Sequence, residues 1–270
     1  PGSSLSDIYH RFKGTEWDPW EYSLMRPSRC KIVAMRDQLT ARGLRRHGVI
    51  AHAPGNPMMD GFKPVDCPAT LKKFRRLLLL CGSRMPEAFQ NFKSLMKALN
   101  MLQNREPLAV LVAIGFEPSR DLLESHLKEL GYQCLPSSSD IGAQSCWSNG
   151  HLLVFLGQGC FNAWSSLAEV GLSNAGTATE QLVGLGIPCV SLPGKGPQFK
   201  HGFALRQSRL LGGGVLPSKT PERLVEKLEL LLRDTDLRQK ISKFGQKRMG
   251  SKGGDFALAA LISKLMLKTK

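Results

Sequence analysis

The sequence is poor in aromatic residues and in long apolar runs. Aromatic residues make up 7% of the chain and are not interleaved with its basic groups, which argues against binding of single-stranded nucleic acid. The longest apolar run, Leu108 to Phe116, is far shorter than the roughly 20 residues that span a membrane. The sequence therefore predicts a soluble or peripheral protein that does not bind nucleic acid.

Paired cysteines and clustered histidines are also missing. The seven cysteines are odd in number, scattered and never spaced as C-x-x-C, which argues against a disulfide framework or a zinc site and favours a reducing compartment. The histidines are isolated, and no His, Asp and Glu cluster has ligand spacing, so we expect neither a metal nor a cofactor. The chain begins at Pro1 without an initiator methionine or targeting segment, so we expect it to be a piece of a longer protein.

Positive charge is what the sequence has in excess. The net charge is +15, which favours anionic partners such as phosphorylated ligands or lipid surfaces. The basic residues are dispersed, and each group is more typical of a solvated face than of a binding surface.

From residue 30 onward, apolar segments of strand length alternate with helical patterns. Strands are predicted at Arg76–Leu80, Pro107–Phe116, Tyr132–Leu135, His151–Leu156, Glu169–Leu172, Pro188–Leu192 and Gly214–Pro217. This alternation predicts an α/β protein with a parallel sheet covered on both faces. Three other stretches are predicted to be a connecting arm without a clear period (1–29), a serine-rich loop (136–150) and a helical tail broken between Gly245 and Gly254 (221–267).

Composition changes suggest four parts of the chain. A strand, helix and strand are predicted between Cys30 and Ala53, and a linker follows the Pro/Gly-rich turn at residues 54–62. We expect boundaries at 1–63, 64–75 (linker), 76–250 (a Rossmann-like domain) and 251–270 (a C-terminal helix).

The segment from Ser173 to Leu182 has the pattern of a turn between a buried strand and a helix. Small residues from Asn174 to Gly176 let a ligand approach the backbone, and the start of the helix favours phosphate. Thr177 and Thr179 add hydroxyl donors, and Glu180 in the first turn could reach a ribose. The alternative is purely structural, with Ser173 or Thr177 as a helix cap and Glu180 as its capping-box partner.

Two further loops at predicted strand ends carry polar groups. In Gly82-Ser83-Arg84, the hydroxyl and guanidinium suit a phosphate. In the loop from Gly194 to Lys200, Lys195 offers charge and Gln198 offers amide contacts to sugar hydroxyls. Because parallel strands bind ligands at their carboxyl ends, we expect the three loops to share one site.

These three loops, with Pro19-Trp20-Glu21, Met35-Arg36-Asp37 and Gly55-Asn56-Pro57-Met58-Met59-Asp60-Gly61, resemble the lipid-A-disaccharide synthase-related proteins of cyanobacteria and plastid-bearing organisms. The resemblance covers nearly all of the chain. It implies a GT-B-like fold, here one complete C-terminal Rossmann-like domain and the tail end of an N-terminal one. It further implies a plastid location if the source is a photosynthetic eukaryote.

The same resemblance implies a UDP-sugar-dependent glycosyltransferase, or its donor-binding half, acting on a lipid-linked acceptor at a membrane surface. The UDP-sugar is a substrate, and the catalytic base, of unknown identity, is expected in a missing N-terminal part. The implied donor-binding residues are Gly82, Ser83, Arg84, Asn174, Gly176, Thr177, Ala178, Thr179, Glu180, Gln181, Lys195 and Gln198. Two alternatives stay open: a UDP-N-acetylglucosamine 2-epimerase-like enzyme, and a non-catalytic remnant that binds a nucleotide or a partner.

Overall fold

The computed structural model describes residues 5–13, 16–102, 106–136, 139–194 and 200–267. In these ranges the chain forms an eight-stranded sheet and a separate two-stranded sheet. In chain order the elements are α1 (Leu5–Lys13), α2 (Pro19–Met25), β1 (Val33–Ala34), α3 (Gln38–Arg46), β2 (Ala51–His52), β3 (Arg75–Leu80), α4 (Glu87–Leu99), β4 (Leu108–Ile114), α5 (Arg120–Glu129), β5 (Gln133–Leu135), β6 (Ser145–Ser148), β7 (Leu152–Gln158), α6 (Phe161–Leu167), β8 (Val170–Ser173), α7 (Thr177–Gly184), β9 (Cys189–Ser191), α8 (His201–Leu210), β10 (Val215–Pro217), α9 (Pro221–Arg233), α10 (Thr235–Met249) and α11 (Gly254–Leu267).

The large sheet has the strand order β10-β9-β8-β3-β4-β7-β6-β5. Its neighbouring strands pair in parallel except at β6, which is antiparallel to both β5 and β7. From β3 the chain passes to β4 and then to the edge strand β5, returns through β6 to β7, and crosses to the other side of β3 as β8. Ligands of such sheets bind beyond the carboxyl ends of the strands where the order reverses. The topology therefore places the crevice at the ends of β3 and β8.

Strand β3 shows why the sheet is covered on both faces. Leu77 and Leu79 pack in one apolar cluster with α4 and α9, whereas Leu78 and Leu80 pack in a second cluster with α6 and α7. Side chains of a strand alternate between the two faces of the sheet, so a run of four leucines places apolar side chains against the helices on both faces. The predicted α/β fold with a mostly parallel sheet is confirmed. No helix in the described ranges is long and apolar enough to cross a membrane.

Two local predictions are wrong. The serine-rich loop contains β6, because Trp147 is buried there and donates from Nε1 to Ser145 Oγ at 3.1 Å. The connecting arm contains the helices α1 and α2, and Trp20 on α2 is exposed. The break predicted between Gly245 and Gly254 is present at residues 250–253, between α10 and α11. Gly245 itself lies inside α10, where a Cβ would come within 2.5 Å of Val183 Cγ1 on the closely packed α7.

The N-terminal segment, defined here as residues 16–63, has a small apolar cluster of its own. Tyr22, Ala41, Leu44, Val49 and Ala51 are buried together around the parallel pair β1 and β2. Asp37 caps α3 by accepting a hydrogen bond from Thr40 N at 2.9 Å. The predicted strand, helix and strand are therefore present, with strands shorter than expected.

Residues 249–255 form a junction with this N-terminal segment. The amide of Asn56 donates to Met249 O at 2.7 Å, and the Asp60 carboxylate accepts from Gly253 N at 2.6 Å and Asp255 N at 2.9 Å. These backbone hydrogen bonds lower the pKa of Asp60. The Asn and Asp of the sequence Gly55-Asn56-Pro57-Met58-Met59-Asp60-Gly61 thus hold the turn between α10 and α11.

Thiol labelling is expected to divide the seven free cysteines by exposure. Cys134 is exposed. Burial raises the pKa of Cys81 to about 12, and burial is also the largest cause that raises the pKa of Cys146 to about 11. At about pH 8, the exposed Cys134 should react quickly with a disulfide reagent. Thiolates are the nucleophiles in this reaction, so Cys81 should react only after unfolding. The variant C134S should lose the fast phase. Fast modification of Cys81 in the folded protein would contradict this assignment.

Candidate functional site

A cleft of about 940 Å³ opens at the carboxyl ends of β3, β4 and β8. Its walls come from the loop after β3, the end of β4, the start of α6, the turn into α7, and α8. The lining residues are Leu80, Cys81, Gly82, Ser83, Arg84, Met85, Glu87, Ala88, Asn91, Ala113, Ile114, Gly115, Phe161, Asn174, Ala175, Gly176, Thr177, Ala178, Gln181, Gly194 and Phe203. The site therefore lies in the crevice that the strand order predicts.

The loop after β3 forms the first wall. Gly82 has φ +99°, which favours glycine, and it lets the chain turn sharply beside Asn174. Ser83 and Arg84 follow with exposed side chains that line the cleft. Asn91 on α4 donates from Nδ2 to Cys81 O at 3.0 Å and so holds the beginning of this loop. The hydroxyl and guanidinium are thus carried by a loop fixed at its base.

The start of α7 forms the second wall. Gly176 is its N-cap residue, and no side chain of the described ranges caps the helix, so its first backbone N–H groups have no side-chain acceptor there. The predicted caps are wrong, because neither Ser173 nor Thr177 caps α7 and the Glu180 carboxylate pairs with Arg36. Gln207 of α8 donates to Gly176 O at 3.2 Å and supports the turn from behind. An uncapped helix start beside an arginine loop is suited to an anion.

Asn174 fastens this wall to the neighbouring strand. Its Nδ2 donates to Leu192 O at 2.7 Å, and its Oδ1 accepts from Leu192 N at 3.1 Å. Both polar atoms of this buried amide are therefore occupied by the backbone beyond β9. Asn174 lines the cleft, but its side chain positions the turn.

The structure brings most of the predicted residues together, with two exceptions. Gly82, Ser83, Arg84, Asn174, Gly176, Thr177, Ala178 and Gln181 line the cleft. Thr179 is fully buried, and its hydroxyl lies 2.5 Å from Ser173 Oγ and donates to Ala175 O at 2.6 Å, so it does not line the cleft. Glu180 also lies outside the lining, with its carboxylate paired to Arg36. Lys195 and Gln198 fall outside the described residues.

Sequence reasoning missed several residues that line the cleft. Gly115, Phe161 and Phe203 each lie beyond a strand end or at the start of a helix on the same edge of the sheet. Their position after β4, after β7 and at the start of α8 is the signal that could have found them, because every parallel strand ends at this edge. The two phenylalanines add flat surface to a lining that also contains apolar side chains such as Leu80 and Ile114.

The electrostatics of the cleft favour a negatively charged ligand. Arg84 and the start of α7 contribute positive charge, and Glu87 is the only carboxylate among the described lining residues. Cys81 also lines the cleft, but burial raises its pKa to about 12, so the thiol is protonated at neutral pH and is a poor nucleophile. The cleft can therefore bind an anion with an attached apolar or planar group.

Known proteins resemble the chain in structure only. No model of a protein family matches the sequence, and no curated protein matches it. The crystal structure of a protein assigned as a UDP-N-acetylglucosamine 2-epimerase from Listeria monocytogenes superposes with TM-score 0.58 and 13% identity, covering 96% of this chain and 70% of that one. The complex of S. aureus MnaA with UDP gives TM-score 0.57 and 13% identity, covering 86% of this chain and 60% of that one.

At this level of identity the likeness shows the fold and nothing finer. The chain has the GT-B-like, Rossmann-type architecture that the sequence predicts. It spans between about three fifths and seven tenths of the length of these two structures. The narrower resemblance to lipid-A-disaccharide synthase-related proteins stays a prediction.

Proposed function

We propose that this chain binds a UDP-sugar in the cleft between the Arg84 loop and the start of α7. The observation that carries the proposal is the uncapped start of α7 facing the same cavity as Ser83 and Arg84. A diphosphate needs several donors that converge from more than one side, and these two walls supply backbone N–H groups, a hydroxyl and a guanidinium. A structure of the same fold that holds UDP supports the choice of nucleotide.

Each donor-site residue receives a role in this proposal. Ser83 and Arg84 contact phosphate from one wall, and the backbone from Gly176 to Ala178 contacts it from the other. Glu180 at the rim accepts hydrogen bonds from the ribose, while Phe161 and Phe203 offer apolar surface to the base or the sugar. Lys195 and Gln198 stay predicted contacts of the donor sugar. The proposed nucleotide-sugar domain is 76–250, after a linker at 64–75 and before a C-terminal helix at 251–270.

The reaction we propose is glycosyl transfer. An acceptor hydroxyl attacks the anomeric carbon, the bond from that carbon to the UDP oxygen breaks, and the hydroxyl proton passes to a general base. Arg84 and the start of α7 stabilise the negative charge that grows on the departing diphosphate. A lipid-linked acceptor belongs to this proposal through the resemblance of the sequence motifs, and the base is not assigned.

Epimerisation of UDP-N-acetylglucosamine is the second candidate. The observation in its favour is that one structural neighbour is assigned as a UDP-N-acetylglucosamine 2-epimerase. An epimerase changes the sugar without an acceptor, so product analysis after incubation with UDP-N-acetylglucosamine alone distinguishes the two. A non-catalytic nucleotide-binding remnant would bind UDP and leave the sugar unchanged in both assays.

Calorimetric titration with UDP tests the proposed site. We expect saturable binding, and we expect R84A to weaken it by about tenfold because a charge-assisted contact to phosphate is lost. R120A is the matched control, since Arg120 is a half-exposed arginine on α5 outside the cleft lining. Absence of binding at millimolar UDP, or equal loss in both variants, would overturn the proposal.

A further inference from the structure

Helix α7 lies between the cleft and the N-terminal segment. Its start lines the cleft, while its later residues contact that segment at two places: Glu180 pairs with Arg36, and Gln181 donates from Nε2 to Met58 O at 3.1 Å. Further along, a Cβ on Gly184 would lie 2.4 Å from Met59 Sδ, so the two segments are closely packed. The position of α7 is thus set partly by residues that lie more than a hundred positions earlier in the sequence.

The contact between Arg36 and Glu180 leaves half of the carboxylate available. Arg36 Nη1 donates to Glu180 Oε2 at 2.8 Å. Among the described residues, Oε1 has no hydrogen-bond partner, and both side chains are 27% exposed. A carboxylate accepts hydrogen bonds at both oxygens, so Oε1 keeps its capacity for a ligand hydroxyl.

Glu180 lies on α7 beside the part of the helix that lines the cleft. Its backbone N–H donates to Gly176 O at 3.2 Å, one turn after the uncapped start, and its neighbour Gln181 lines the cleft. A glutamate side chain loses rotamer freedom when it binds a ligand, and a fixed partner that holds it in place beforehand reduces that cost. Arg36 is itself held at its backbone, because its carbonyl oxygen packs against Gly250.

We propose that Arg36 is a positioning residue for recognition of the ribose. It holds Oε2 of Glu180 so that Oε1 accepts a hydrogen bond from the ribose hydroxyls of bound UDP. The inference rests on the proposed function, and it makes the N-terminal segment part of the nucleotide site. It also predicts selectivity for ribonucleotides over deoxyribonucleotides, since only the former offer both hydroxyls.

Titration of wild type, R36A and R36K with UDP and with 2′-deoxy-UDP tests the inference. We expect wild type to prefer UDP by about tenfold, because hydrogen bonds to charged groups are strong. R36A should weaken UDP binding by about fivefold while changing 2′-deoxy-UDP binding less than about twofold, and R36K should keep part of the preference. R42A is the control, because Arg42 is an exposed arginine on α3.

The ratio of the two affinities separates this role from a structural one. A variant that merely loosens the fold should lose affinity for both nucleotides equally, and that result would overturn the inference. Tighter UDP binding by R36A would also overturn it, since Arg36 would then compete with the ribose for Glu180. If wild type binds neither nucleotide, the proposed function itself fails, which is a different result from binding with an unchanged ratio.

Discussion

Replacing Gly250 with alanine is expected to lower the free energy of unfolding by about 4 kcal/mol. Gly250 follows α10 with φ +83° and ψ 175°, a conformation that is open to glycine and strained for other residues. A Cβ there would lie 1.8 Å from the carbonyl oxygen of Arg36, which is backbone and cannot rotate away. The clash would push the N-terminal segment off the turn that holds it.

Gly213 is the matched control for this prediction. It also has φ +83°, but a Cβ there would meet nothing within 4 Å. G213A should therefore lower the free energy of unfolding by only about 1 kcal/mol, which is the cost of the strained backbone conformation. Urea unfolding followed by tryptophan fluorescence measures both variants, with Trp17 and Trp20 in the N-terminal segment as local probes. Equal destabilisation of G250A and G213A would show that the contact with Arg36 costs nothing.

Replacing Asn174 is expected to have the second largest effect. In N174A the buried N–H and C=O of Leu192 lose their partners, and each unsatisfied group costs about 1–3 kcal/mol, so we expect a loss of about 3 kcal/mol. N162A is the control, because Asn162 is exposed on α6 and should change stability by less than about 0.5 kcal/mol. Chemical denaturation of both variants tests the difference.

The isosteric variant N174D adds a pH dependence with a defined sign. A charged carboxylate would face the Leu192 carbonyl in a buried site, so the folded-state pKa of Asp at this position should be raised above its unfolded value of about 3.9. The protonated form can donate to that carbonyl as the amide does. Relative to wild type at the same pH, N174D should therefore be least destabilised below about pH 4 and lose stability as pH rises. A difference that does not change with pH would contradict this account.

Local pattern predicted most of the fold. The apolar runs of β3 and β4 consist of a few neighbouring residues, and both strands appear where the sequence predicts them. Strand β6 was missed because its serines suggest a loop, and only pairing with β5 and β7 makes it a strand. Such pairing depends on distant residues, which a local pattern does not contain.

The candidate site was likewise predictable only where its residues follow from local sequence. Ser83, Arg84 and Gly176 follow strand ends, so the topology alone brings them to one cleft. The environment of Glu180 could not be predicted, because its partner Arg36 lies 144 positions away, in the connection between β1 and α3. The burial of Thr179 was equally hidden, since a hydroxyl on a helix start suits a ligand as well as a neighbouring serine.

The bonds between Asp60 and the turn after α10 also bear on how the chain folds during synthesis. Asp60 and Gly253 are 193 positions apart, so a ribosome adding about 5–20 residues per second delivers the second partner roughly 10–40 s after the first. During that interval the segment that contains β1 and β2 lacks these hydrogen bonds and relies on its small apolar cluster and on contacts with α7. We therefore expect the N-terminal segment to become fully resistant to protease only after residues 249–255 have been synthesised.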